Sequence, residues 1–180
     1  MKGIVFTEFI ELVEQRFSAP LAYRLLDECE LPSGGAYTAV GTYDHRELVS
    51  LVSKLSEISG LPLGTLMTIF TEHLFDRFLV LYPVFFEGVH SALDFLAQVE
   101  DFIHPEVLKL YPDAELPRFE IQRPDRVTLV MTYHSTRHLG DFAQGLIEAC
   151  IKHFNETIQI GREDLSGAAQ VVRFTLRQVA

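Results

Sequence analysis

No tryptophan occurs in this 180-residue sequence, and cysteine occurs only twice, as Cys29 and Cys150. Two thiols cannot supply a disulfide framework, so a reduced, cytoplasmic setting is expected. Positive charge is also scarce: 15 Lys and Arg stand against 25 Asp and Glu, a net −10. Such a balance argues against nucleic acid or an anionic membrane as a partner, because both need a basic surface. No apolar run reaches the roughly 20 residues of a membrane span. The opening MKGIVFTEFIELVEQRF is interrupted by carboxylates at helical spacing, so it has no continuous apolar region of the kind a signal peptide needs. No low-complexity tract or internal repeat divides the chain.

Catalytic signatures are missing as well. GGAYTAVG at 34–41 has neither the G-x-G-x-x-G nor the P-loop spacing. Ser33, Ser135 and Ser166 lie in no nucleophile-elbow context, and no pair of carboxylates stands out as an acid–base couple. The expectation is a protein that is not an enzyme.

What remains is a chain that is 48% hydrophobic, with 14 phenylalanines, enough for the core of one domain. Helical spacing covers 3–17, through Val5, Phe6, Phe9, Ile10, Val13 and Phe17, and a shorter helix is expected at 20–29. Ser33-Gly34-Gly35 reads as a turn and Tyr37 to Tyr43 as an extended stretch. Asp44 with Glu47 resembles a capping box opening a helix at 45–59, ended by Gly60-Leu61-Pro62. A further helix spans 63–80, and 84–88 is a connector. The run 90–111 is helical in period but contains Pro105, which disfavours helix at His104 and predicts a kink or a break there. Beyond Pro117 the period becomes two: strands at 118–123 and 127–133 flank a Pro124-Asp125 turn. A helix is expected at 140–154, then a hairpin of 156–163 and 168–178 turning near Ser166-Gly167. The fold class is therefore α+β: helices first, then a four-stranded antiparallel sheet with one inserted helix.

Two features carry possible chemistry. In TLVMTYHSTRHLGDF (128–142), Tyr133, Ser135 and Arg137 alternate. On an extended chain they share a face at roughly 6.6–7 Å spacing and aim three donors one way, an anion clamp built around a guanidinium fork. A polar strand face with an exposed arginine has the same appearance. The second feature is His104, one of seven histidines. It lies among apolar helical residues, where a lone imidazole is more often a core or surface residue than a ligand. No H-E-x-x-H and no Cys/His zinc spacing occurs. A single imidazole can still hold a haem iron, because the porphyrin supplies four nitrogens.

Taken together, Met1-Lys2-Gly3, DFIHPEVLKLYPDAELPRF (101–119) and Y-H-S-T-R (133–137) occur in one order and spacing. The chain strongly resembles the haem–nitric oxide/oxygen binding family, H-NOX or HNOB, over essentially its whole length. The resemblance implies haem b as cofactor, with His104 as the proximal iron ligand. It implies that Tyr133, Ser135 and Arg137 bind the propionates and that Pro117 packs on the porphyrin. It places Val5, Phe9, Leu74, Phe78, Phe142 and Leu146 on the gas side, and Met1 and Leu108 also near the cofactor. About 1–62 would form a distal helical subdomain and about 63–180 a proximal one. Oxygen-binding members carry a tyrosine where this chain has Phe142. A donor there stabilises bound dioxygen by roughly 1–3 kcal/mol, and nitric oxide needs none. The implied function is nitric oxide sensing, with carbon monoxide as a further ligand, as in the stand-alone bacterial type that acts on a histidine kinase or a diguanylate cyclase. Oxygen or redox sensing on the same fold, and a haem-free anion-binding module, are the alternatives.

Overall fold

The computed structural model describes residues 1–165 and 170–179, so the expected turn at Ser166-Gly167 lies outside the described residues. The expected α+β order is found: helices, then a four-stranded antiparallel sheet with a helix between its second and third strands. The chain folds as two compact units. The first holds Met1–Arg77 with Asp113–Glu115, and the second Phe78–Pro112 with Leu116 onward.

In the first unit, α1 (Gly3–Arg16) buries Phe6, Phe9, Leu12 and Val13, the stripe its spacing predicts. No side chain caps its N-terminus. Its first free N–H groups are met by a loop instead: Gly3 and Ile4 donate to Gly41 and Ala39 carbonyls at 2.8 and 3.0 Å. The loop approaches so closely that a Cβ on Gly3 would lie 1.9 Å from the Thr38 carbonyl oxygen. Residues 37–43 are thus not the extended stretch expected; they form one bridge, Lys2 with Thr42, around a turn, because their backbone is spent on capping α1.

After α2 (Ala19–Glu28), α3 (His45–Ser59) starts at Asp44, whose carboxylate accepts the Arg46 N–H at 2.9 Å, and stops at Gly60 in the left-handed region (φ 72°). The reciprocal half of the capping box is not made. The buried Glu47 carboxylate accepts instead from the Ser33 and Tyr37 hydroxyls.

Helix α4 (Leu63–Leu81) explains where the units divide. Its residues up to Arg77 belong to the first unit, with Leu66, Phe70 and Leu74 buried, and those from Phe78 onward belong to the second. Phe70 meets Phe9 edge-on at 5.1 Å between ring centroids. The buried Glu8 of α1 also accepts from Arg77 at 2.8 Å and lies 3.3 Å from His73, one turn apart on α4.

The second unit opens with the end of α4 and a 3₁₀ turn, Pro83–Phe86, inside the stretch expected as a connector. The run around Pro105 is divided as expected, but not at His104. Helix α5 (Ala92–Ala97) passes into a π turn, Val99–Ile103, and then into α6 (His104–Leu110). His104 itself is helical, at φ −59° and ψ −45°. The π turn moves the hydrogen-bond register by one residue, so that Ile103 donates to Gln98, and Pro105 falls in the first turn of α6, where its missing donor costs little.

Strands β1 (Arg118–Gln122), β2 (Thr128–Ser135), β3 (Ile158–Leu165) and β4 (Gln170–Gln178) order as β1-β2-β4-β3, all antiparallel. Alternate residues of β2, Leu129, Met131 and Tyr133, face Leu176, Phe174 and Val172 of β4, and all six are buried. Helix α5 packs against β2 and the inserted α7 (Gly140–His153) against β4.

Candidate functional site

His104 opens α6 with its side chain 15% exposed. Its Nδ1 lies 3.1 Å from Oε2 of Glu100, one helical turn earlier on the π turn. The same carboxylate oxygen accepts the Phe119 N–H at 2.9 Å, at the start of β1. Burial pushes the imidazole pKa down, and the charge and hydrogen bond of Glu100 offset part of that. Against a carboxylate acceptor Nδ1 is the donor, and in the neutral tautomer that leaves the lone pair on Nε2. Nε2 has no hydrogen-bond partner among the described residues. Glu100 did not emerge from the sequence analysis. Its signal is a carboxylate four residues before the histidine, which on a helix places the two side chains together.

No three His, Cys, Asp or Glu side chains are grouped to hold a metal ion among the described residues. An accessible lone pair on one imidazole therefore fits a metal that arrives with its other donors, as a haem iron does, better than a bare ion.

Tyr133, Ser135 and Arg137 do not share one extended face, since β2 ends at Ser135. The chain turns there, with the Arg137 N–H donating to the Ser135 hydroxyl at 3.1 Å and His138 at φ 55°. The three residues are nonetheless close. The Tyr133 phenol is pushed to a higher pKa by burial, and the neighbouring Ser135 side chain, the Leu139 backbone and the Arg137 charge pull the other way. A turn, rather than strand alternation, brings the guanidinium in.

Pro117 is half-buried, two residues before the Phe119 N–H that Glu100 holds. Phe142 and Leu146 lie one turn apart on α7, both half-buried. Phe78 is half-buried and 5.9 Å from the Tyr82 ring, and Leu108 is 41% exposed on α6. These, with His104, Tyr133, Ser135 and Arg137, belong to the second unit. The remaining four belong to the first: Phe9 and Leu74 in its core, Val5 and Met1 half-buried.

All six tyrosines are accounted for. The Tyr37 hydroxyl donates to Glu47, and the Tyr43 hydroxyl accepts the Thr38 N–H. The hydroxyls of Tyr82 and Tyr111 meet at 2.9 Å, and Tyr133 lies beside Ser135. Tyr23 is 70% exposed.

Comparison with known proteins gives one consistent picture. The family model described as Haem-NO-binding (HNOB) matches residues 2–162. A solved H-NOX protein from K. algicida, in its Fe(II) unliganded state, is 34% identical. Its TM-score is 0.90, and the match covers 100% of this chain and 97% of that one. An H-NOX from Shewanella woodyi, solved with IWP-051 bound in the Fe(II)CO state, is 38% identical at a TM-score of 0.86, covering 99% and 95%. An H-NOX from S. oneidensis in the Fe(II)NO state shares the fold at 24% identity and a TM-score of 0.86, covering 99% and 100%. Among curated proteins the comparison finds no match.

Proposed function

The chain belongs to the Haem-NO-binding family of haem-based gas sensors, with haem as its cofactor, and from that premise we propose that it senses nitric oxide through His104. The observation that carries this reading is the setting of the His104 ring: helix-mounted, in contact with Glu100 at Nδ1 and without a hydrogen-bond partner at Nε2. Bound haem would supply a ferrous iron able to take a diatomic gas.

The chain's own residues do the rest. His104 offers Nε2 to the iron. Arg137, with Tyr133 and Ser135, offers a cation and hydroxyl donors to the propionate carboxylates. Pro117, in the connector before β1, would pack on the macrocycle. The six residues assigned to the gas side, Val5, Phe9, Leu74, Phe78, Phe142 and Leu146, carry no hydrogen-bond donor in their side chains. Phe142 stands where oxygen-binding relatives place a tyrosine. Of the six phenols, five are engaged elsewhere and Tyr23 is largely exposed. A site without a donor gives dioxygen little help, while nitric oxide and carbon monoxide need none. The Fe(II)CO state of the S. woodyi relative supports carbon monoxide as a second ligand.

Gas binding at a haem held by His104 would be read by a signalling protein, a histidine kinase or a diguanylate cyclase. The partner responds to the extent that it binds the two states with different affinity. No helix among the described residues is long and apolar enough to cross a membrane.

The test is an absorption spectrum of the reduced protein with and without nitric oxide, with oxygen as control. A Soret band that shifts with nitric oxide and forms no stable oxygen complex is expected. A stable oxygen complex would replace the nitric oxide reading with the oxygen one, and a missing Soret band would remove both.

A further inference from the structure

Glu100 is the charged side chain that touches the proposed iron ligand, and nothing above gives it a function. It sits on the π turn with its side chain 29% exposed, and one oxygen, Oε2, holds two donors from two different elements. An ionised carboxylate oxygen only accepts, so Nδ1 of His104 must carry the proton. The Phe119 N–H at 2.9 Å ties the carboxylate to the start of β1. An ordinary i,i+4 surface pair has no third partner; this carboxylate is also held by strand backbone.

We propose that Glu100 is a positioning residue for the iron ligand: it fixes the His104 ring in the Nδ1–H tautomer and, through its charge, strengthens the iron–His104 bond. The proposal rests on the haem reading above. The physical basis is general: a carboxylate accepting the outer N–H of a metal-bound imidazole orients the ring and raises the basicity of the ligating nitrogen. The strength of that bond sets how readily His104 is released when gas binds, so Glu100 tunes the response without touching the gas.

The experiment compares wild type, Glu100→Gln and Glu100→Asp as the full, haem-loaded chain, reading the iron–histidine stretching band of the reduced protein by resonance Raman. Haem loss and the melting temperature of the apo-protein are measured alongside. Glu100→Gln keeps the size and an acceptor oxygen and removes the charge. Its band is expected at lower frequency, with haem leaving roughly tenfold or more faster. Glu100→Asp, which keeps the charge, is expected nearer wild type. An unmoved band in Glu100→Gln overturns the proposal, even where the apo-protein melts earlier, because a merely structural role would alter melting alone. A folded Glu100→Gln that takes up no haem supports it only if Glu100→Asp restores uptake, and counts against it otherwise. Glu100→Ala, read by the same band, serves if Glu100→Gln does not fold. A wild type without a Soret band removes the haem reading itself. A normal wild type with an unmoved variant removes only the role of Glu100.

Discussion

At the scale of single residues, the proposed site rests on two groups, His104 and Arg137. His104→Gly deletes the only nitrogen proposed to meet the iron, so its spectrum should lose native ligation and regain it when free imidazole is supplied; wild-type-like ligation without imidazole would sink the assignment. Arg137→Ala would remove the cation proposed to meet a haem propionate. A charge-assisted hydrogen bond contributes about 1.5–3 kcal/mol, so transfer of haem to an acceptor protein should run about 10- to 100-fold faster. An unchanged rate would remove Arg137 from the site. Gly3 has no such chemistry, but the Thr38 carbonyl 1.9 Å from its would-be Cβ leaves no room for alanine. Gly3→Ala should lower stability by about 1–3 kcal/mol, as overpacking does, seen as an earlier melt of the apo-protein.

At the scale of elements, the π turn and α6 matter most. The sequence run 90–111 has one helical period, yet it is cut by a π turn at Val99–Ile103, which carries Glu100 and sets Pro105 in the first turn of α6, while Glu100 still meets His104. Ser91 opens α5, its hydroxyl accepting the Asp94 N–H at 3.1 Å. Ser91→Ala should cost about 0.5–2 kcal/mol of stability, the usual worth of an N-cap. If denaturant melts show no loss, α5 is held by packing of Leu93 and Leu96 alone. On β2 the alternation of Leu129, Met131 and Tyr133 is read correctly from the sequence, but its continuation to Arg137 is not. The strand ends where the Ser135 hydroxyl takes up the Arg137 N–H, a competition between side chain and ladder that period-two patterning does not reveal.

At the scale of the whole molecule, charge sets a pH window. Asp94 is held below the usual carboxylate range by Arg123 first and Ser91 second, and Asp44 by Arg46. A depressed folded pKa adds stability above the unfolded value and loses it as pH falls, so denaturant melts of the apo-protein should weaken below about pH 4. Burial pushes the Tyr37 phenol and the Cys150 thiol up. Those groups lower stability as pH rises past their unfolded values, roughly 8.5–10, where the unfolded chain ionises first. A stability profile flat to pH 3 would contradict the acid limb. By itself, the sequence determined what depends on neighbours along the chain: the periods of α1, α3 and β2, the stop at Gly60 and the α+β order. Only the tertiary structure decided the pairings between distant residues. It gave Glu47 to Tyr37 and Ser33 rather than to its own cap, and the α1 N-terminus to the loop at 39–41. It also extended the first unit to Arg77 and set Phe119 against Glu100. The reason is physical: periodicity records which face of an element is apolar, whereas a hydrogen bond across 10 residues or more depends on how the intervening chain closes, which no local pattern encodes.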